Sequence, residues 1–453
     1  GDEAGTAITT GDNNVCIGYQ AGDAISTGDN NIAIGKNALG AEDAHDFNIA
    51  IGSNALAAQD AGADAYNIAI GHNAGTNVST GARNTFVGGL AGDAINVGGR
   101  NVAMGHGALS DDTKGSRSVA IGYQALSTQN FTSATDTYNT AVGYQAGLDV
   151  TTGQQNTLIG YAAGDSITDA DNNTVVGAFA GDALTVGNEN VAIGKNALGS
   201  DINGSRSVAI GWDALSTQEA SGTTSNNYYN TVIGANAGSS VTTGYYNTFL
   251  GGLAGASDHT AGLATGTSNV LIGYNMNTSG NASTNQIAIG TGFACTGDNN
   301  FCFGKASNVV ENDFDTDANW TRNSDERLKK NITDQKLGLD FINDLRTVKY
   351  NWKSNGELDA TDSQLAHLRE KDEDGNIINY MNTTATMHNF IAQEVKAALD
   401  KAGVSDFSGW KEDKYGVQKV SREMFVIPLV KAVQELSAKN DALEARIKKL
   451  EGS

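Results

Sequence analysis

The feature that most constrains this chain is a glycine that returns every seventeen residues. It stands at 18, 35, 52, 71, 88, 105, 122, 143, 160, 177, 194, 211, 234, 251, 273, 290 and 304, and eleven of the sixteen intervals are 17 residues. The residue before it is apolar in all seventeen copies. The residue four before it is Asn in fourteen, with Ser118, Ser207 and Gln286 as exceptions, and the residue three after it is Ala in fourteen. Asn14-Val15-Cys16-Ile17-Gly18 and Asn190-Val191-Ala192-Ile193-Gly194 are typical. Each copy reads as one short strand whose branched residues point to one face and whose central residue, usually Ala, points to the other. No strand position is charged, so both faces are expected to be covered. Such a strand cannot bury itself, but stacked copies at about 4.8 Å per coil can, and seventeen coils reach about 80 Å. The Asn column would then cap successive turns as a ladder, and Gly would permit the corner. Proline would remove a donor from such a ladder. The chain has 56 Gly and one Pro, Pro428, which also rules out collagen. The expected fold is mainly β: a parallel β-solenoid or β-roll shaft over 1–304.

A longer period is superposed. The residue after the conserved Ala is Gly or Leu, and each pair of Leu coils precedes a long interval of 19, 21 or 23 residues. Long loops near 57–65, 127–138 and 216–229 therefore recur at equivalent places, and insertions in solenoids map to one face. Phe131, Tyr138, Tyr228 and Tyr229 are the candidate receptor-binding residues, since aromatics with polar neighbours stack on sugars or anchor a partner. The alternative is that they cover the shaft or pack between chains. The Gly-Asp-Asn-Asn runs at 11–14 and 297–300 and the run at 169–173 offer oxygens to calcium, but Asx turns explain them better. His45, His72, His106 and His259 have no metal spacing, so neither a metal nor another cofactor is expected. Cys16 and Cys302 read as small apolar strand residues, Cys295 has no assigned role, and three Cys make no disulfide framework. No apolar run spans a membrane. The opening Gly1-Asp2-Glu3 is neither a signal peptide nor an initiator Met and is expected to be a processed or engineered end.

Charge divides the chain. Residues 1–323 hold 29 acids and 9 bases, while residues 324–453 hold 22 and 20, within a total net charge of −22. The acidity argues against nucleic acid. The expected domains are the shaft, an acidic linker over 305–323, a domain over 324–425 and a coiled coil over 426–453. Leu429, Leu436, Leu443 and Leu450 recur every seven residues, and Val426, Val433, Asn440 and Ile447 fill the other core position. This is a heptad seam; by residue type it leans towards a dimer, and Asn440 would set its register.

The repeat core resembles the heads of trimeric autotransporter adhesins, which form a trimeric β-roll. The run Tyr138 to Ala146 resembles shafts of phage tail fibres. The second part carries four motifs: Ser324-Asp325-Glu326-Arg327-Leu328-Lys329-Lys330-Asn331-Ile332; Tyr350-Asn351-Trp352; Phe390-Ile391-Ala392-Gln393-Glu394-Val395; and Ile427-Pro428-Leu429-Val430-Lys431-Ala432-Val433-Gln434-Glu435-Leu436. Together they resemble the endosialidase-type intramolecular chaperone, a self-cleaving serine peptidase domain at the C-termini of phage tailspikes and fibres. That resemblance implies a homotrimer on a virion. Ser324 would be the nucleophile, Lys329 its general base, and Asn323–Ser324 the bond cut. On local sequence alone, Ser324 reads as a helix N-cap instead. The expected function is a trimeric fibre or spike shaft that attaches to a host surface glycan or protein, folded by its C-terminal domain. The alternatives are a bacterial trimeric surface adhesin, which would normally end in a membrane β-barrel, and a polysaccharide-degrading tailspike, for which no carboxylate pair stands out.

Overall fold

The computed structural model describes all residues except 220–225, 257–263, 314–320, 323, 324, 373, 380–382, 385 and 453. The chain divides into two compact units, Gly1–Asn323 and Ser324–Ser453.

The first unit is a β-solenoid. Seventeen strands among the described residues, from Val15–Ile17 to Asn300–Lys305, each directly precede or include a repeat glycine. Neighbours along the chain pair in parallel with the repeat in register, as in Val15↔Ile32 and Val191↔Val208. The central strand residue points inward and is fully buried, as at Ala33, Phe86, Leu158 and Phe249. The repeat glycines have φ between +128° and +156°. A Cβ on Gly143 would also stand 2.1 Å from the Gly160 carbonyl oxygen of the next coil, so both backbone and neighbour demand glycine.

The Asn column is a ladder of side chain to backbone. The Asn31 Oδ1 accepts the Asn48 N–H at 2.9 Å, and the Asn84 Oδ1 accepts the Asn101 N–H at 3.0 Å. Most of the amide NH₂ groups reach onward to a carbonyl, as from Asn84 to Gly98 at 3.0 Å, whereas that of Asn48 turns back to the Asp46 carbonyl. These side chains are buried, and every rung satisfies a backbone group that the coil leaves over.

The Gly/Leu alternation has a packing reason. In seven of the eight copies where the residue four after the repeat glycine is Gly, an apolar side chain three further on fills the interior: Ile25, Val78, Ile95, Val150, Ile167, Leu184 and Val241 are all fully buried. Gly164 shows the exclusion, since a Cβ there would lie 2.8 Å from Ile167. Where that residue is Leu, its own side chain takes the space and the later position becomes polar: Glu42, Gln59, Asp112, Gln129, Asp201 and Gln218, all fully buried. These six form acid–glutamine pairs one coil apart. Gln129 donates to Asp112 at 2.6 Å and accepts from Asn139 at 2.8 Å, and Asp112 also accepts the Gly115 N–H at 2.8 Å. Gln59 and Gln218 repeat the arrangement with Glu42 and Asp201. Gln129 also donates to Ser118 at 2.9 Å, where the shorter serine interrupts the Asn column.

Two details depart from expectation. Cys302 does not act as a small apolar residue: it is joined to Cys295 in a disulfide with Cα atoms 5.8 Å apart. The final interval is only 14 residues, and this shortened coil carries Cys295 against the last strand. The stretch 305–323, expected as a linker, is partly paired: Asn300–Lys305 turns back into the antiparallel strand Asn308–Asp313, which pairs with Thr321–Arg322.

The second unit is small and α+β. Helix α1 (Leu339–Asn343), helix α2 (Ala392–Ala402), the antiparallel pair Val348–Tyr350 with Met387–Asn389, and the hairpin Trp410–Glu412 with Gln418–Val420 surround one core. That core is Leu337, Phe341, Val395, Ala398, Leu399 and Phe425. Gly403 in the left-handed conformation, φ 65°, ends α2. Helix α3 (Val426–Glu451) has 26 residues, about 39 Å. Its first turns bury Pro428 and Ala432, and Glu435 accepts the Leu339 N–H at 2.8 Å, which caps the start of α1.

Candidate functional site

Asn323 and Ser324, the expected cleavage site and nucleophile, lie outside the described residues. The segment that follows is a single 3₁₀ turn, Glu326–Leu328, and its N-cap is Asp325, which accepts the Arg327 N–H at 2.9 Å. Asp325 also pairs with the Arg327 guanidinium at 2.6 Å, which holds its carboxyl below the usual carboxylate range. Lys329 closes the turn by donating its N–H to the Glu326 carbonyl at 2.9 Å, and its side chain is exposed, as is that of Lys330.

The heptad residues lie on α3 with their apolar side chains in water. Leu429, Val433, Leu436, Leu443, Ile447 and Leu450 are each more than half exposed. Asn440 donates to Glu444 at 3.2 Å. Four exposed Leu at heptad spacing on one helix are the pattern of a coiled-coil seam.

The shaft has an open face too. The branched residues flanking each central strand residue point away from the interior, and many are well exposed, Ile17 at 56% and Leu250 at 47% among them. Within a single chain this face is uncovered, in contrast to the expectation from the uncharged strands. Beside it, the residue after the repeat glycine builds an exposed ring ladder: His106, Tyr123, Tyr144 and Tyr161 stack with centroids 5.7, 5.2 and 5.3 Å apart.

The four aromatic candidates divide. Phe131 and Tyr228 are buried, at 5% and 7% exposure, so they cover the shaft and offer no ring to a ligand. The Thr113 hydroxyl donates to the Phe131 carbonyl at 3.2 Å, and the Tyr228 N–H donates to the Ser205 carbonyl at 3.1 Å. Tyr138 and Tyr229 are exposed, at 51% and 42%. Both stand five residues before a repeat glycine, a column that composition by loop did not single out. Its register was legible all the same, because each member is aligned by the 17-residue period.

One group among the described residues has metal-ligand chemistry: donor atoms of Glu42, Asp43, His45 and Asp60 lie within 4.8 Å of one another. Burial acts to lower the His45 pKa, but the Glu42 hydrogen bond and charge outweigh it and raise the imidazole above its usual value. Sequence spacing missed the group because the stack brings residue 60 beside residue 43. Glu42 is already used as the buried partner of Gln59, as Asp112 and Asp201 are for their glutamines. At the runs weighed for calcium, acidic side chains bind the neighbouring coil: Asp171 accepts the Gln154 N–H at 2.7 Å and Asp298 the Thr284 N–H at 2.8 Å.

Comparison with known families gives one match. Residues 324–404 match the family described as chaperone of endosialidase. The second unit therefore carries a chaperone-of-endosialidase domain, which begins at the first residue of that unit and ends just past α2. The motif at 427–436 lies beyond the matched residues. No curated protein and no solved structure matches the chain.

Proposed function

We propose that the chain is a fibre or spike shaft of a phage-like virion, that three copies assemble through its C-terminal unit, and that this unit is then released by cleavage between Asn323 and Ser324. The observation that carries the reading is the chaperone-of-endosialidase match, which starts at residue 324, where the shaft unit ends. The exposed heptad seam of α3 and the open strand face of the shaft support it, because each is an apolar surface that other copies of the chain would cover. A tethered helical seam holds three shafts at high local concentration and in common register before their strands meet. A stack with mainly non-local contacts nucleates slowly, so this order matters.

In the cleavage step the Ser324 hydroxyl oxygen attacks the Asn323 carbonyl carbon. Lys329 takes the hydroxyl proton, the C–N bond breaks, and the proton passes to the departing Ser324 amine. Water then hydrolyses the resulting ester to free the Asn323 carboxylate. A lysine serves as a base only when burial or nearby cations lower its pKa. Lys329 is exposed in the single chain, so the proposal ties cleavage to assembly. Loss of the chaperone leaves a shaft that unfolds but does not refold, which is kinetic stability. The shaft would attach the virion to its host. Denaturing electrophoresis tests the reading: wild type yields two fragments and Ser324→Ala a single uncut band. Equal cutting in both proteins sinks the assignment.

A further inference from the structure

The column five residues before the repeat glycine holds six consecutive large side chains: Phe47, Tyr66, Arg83, Arg100, Arg117 and Tyr138. All six have positive φ, from 53° to 66°. This left-handed conformation is uncommon for such residues and far easier for Asn, which stands in the same column at 13, 30 and 172. The parallel register places the six on successive coils, one strand spacing apart. Rings of Phe47 and Tyr66 stack at 5.2 Å and 4°. At the other end the Arg117 guanidinium lies 5.3 Å from the Tyr138 ring centre and pairs with Asp136.

Arg83 and Arg100 lie between these ends. Both are exposed, and neither side chain makes an ion pair or hydrogen bond among the described residues. Every arginine of residues 1–304 lies in this column, in a shaft where acids outnumber bases by 29 to 9 over residues 1–323. Acidic partners are therefore abundant, yet two guanidiniums on successive coils are left exposed. Guanidinium forks match carboxylate or sulfate groups in a bidentate way. Exposed rings at either end, each with one face already against a column neighbour, add apolar surface beside the guanidiniums.

We propose that this column is a binding track for an acidic polysaccharide running along the shaft, with its anionic groups on Arg83 and Arg100 and sugar faces on Tyr66 and Tyr138. The track is a row of charges one coil apart, a spacing similar to the length of one pyranose unit. Only three cations in a strongly acidic surface suit a ligand of sparse charge; nucleic acid carries a charge on each phosphate and is repelled by the surroundings. The inference rests on the host-attachment reading and names its ligand class.

The test uses the full chain and its Arg83→Asn/Arg100→Asn variant, which installs the residue the fold already accepts in other coils. Binding to immobilised hyaluronate (carboxylated), heparin (sulfated), dextran (neutral) and oligodeoxythymidylate is measured at low salt. The expected result is salt-sensitive binding to an acidic glycan, at least tenfold weaker in the variant, with dextran inert and the thermal midpoint no lower. No glycan binding by wild type overturns the proposal, as does equal binding by the variant or binding to the oligonucleotide alone. A change of oligomeric state in the variant also overturns it, because the column would then face another copy. Chain mass and oligomer size, read on the same samples, report on cleavage and assembly separately from the glycan.

Discussion

The two units of this chain solve burial in opposite ways. The shaft closes its interior coil by coil with small residues and joins residues about seventeen apart through hydrogen bonds, such as Asn156 N–H to Asn139 Oδ1 at 2.9 Å. Nothing in one coil is stable without its neighbours. The C-terminal unit gathers one aromatic and aliphatic core around Phe341 and Phe425, then leaves the seam of α3 in water. The shaft is thus cooperative along its length, and the second unit is local in its core and open to association. A protein divided this way separates the task of lasting from the task of starting.

The comparison breaks most visibly at a repeat glycine. Gly143→Ala puts a methyl 2.1 Å from the Gly160 carbonyl at φ +145°. Overpacking and backbone strain together predict a loss of about 3–5 kcal/mol. Differential scanning calorimetry should show the shaft transition displaced or lost while the helical signal of the second unit persists. An unchanged shaft transition refutes the stacked-corner argument. Next comes a buried acid. Asp112→Ala strands the Gly115 N–H and the Gln129 amide, predicting a loss of about 2–4 kcal/mol. The double change with Gln129→Leu should recover part of that loss, which a double-mutant cycle reads directly.

Much of the shaft was legible because it repeats: strand positions, glycine corners and the Asn column all follow from one alignment of seventeen copies. The acid–glutamine pairs were legible in principle, since Leu39 precedes Glu42 and Gly22 precedes Ile25 by the same three residues. They passed unnoticed because an acid in a polar-looking loop does not announce burial. The same blindness misplaced Phe131 and Tyr228, which are buried, while Tyr138 and Tyr229 are exposed. The closing strand Asn308–Asp313 and the Cys295–Cys302 disulfide were illegible because the period fails there. On the second unit the family motifs gave the domain, and the heptads gave a seam. Neither gives the chemistry proposed at 323–324, and both of those residues lie outside the described ones.

The disulfide gives a smaller, local test. It closes a short loop in the last coil, and its reduction or Cys302→Ala should cost about 2 kcal/mol. Because that coil precedes the second unit, the loss should appear as faster proteolysis near residue 305 rather than as a shift of the whole shaft. A uniform shift instead would mean that the coil is coupled to the entire stack.

The smallest expected effect is also the one that separates the units by sign. On the shaft, burial first and the charge of Asp165 second push Asp182 up to about 6. Burial likewise raises Asp93, Asp112 and Asp165. A carboxyl whose pKa is higher in the folded chain binds more protons folded than unfolded between those two values. Stability therefore falls as pH rises through that window, and acidification from pH 7 to 5 strengthens the shaft. His45, also raised, acts in the same direction, and Glu189, held down by Arg206, opposes it. On the second unit the shifted carboxyls run the other way. Glu394 is held down by its hydrogen bond to Arg346, and Glu357 by the Ser354 N–H. Their contribution is present at neutral pH and is lost as pH falls through the lowered values. Thermal melts at pH 7 and 5 should move the shaft midpoint upward by a few degrees, with Asp182→Asn removing part of the gain. The second unit should hold its midpoint until the pH drops below the ordinary carboxylate range. Parallel movement of the two transitions would show that burial of the shaft acids is relieved in solution, and with it the contrast between a dry stack and a wet chaperone.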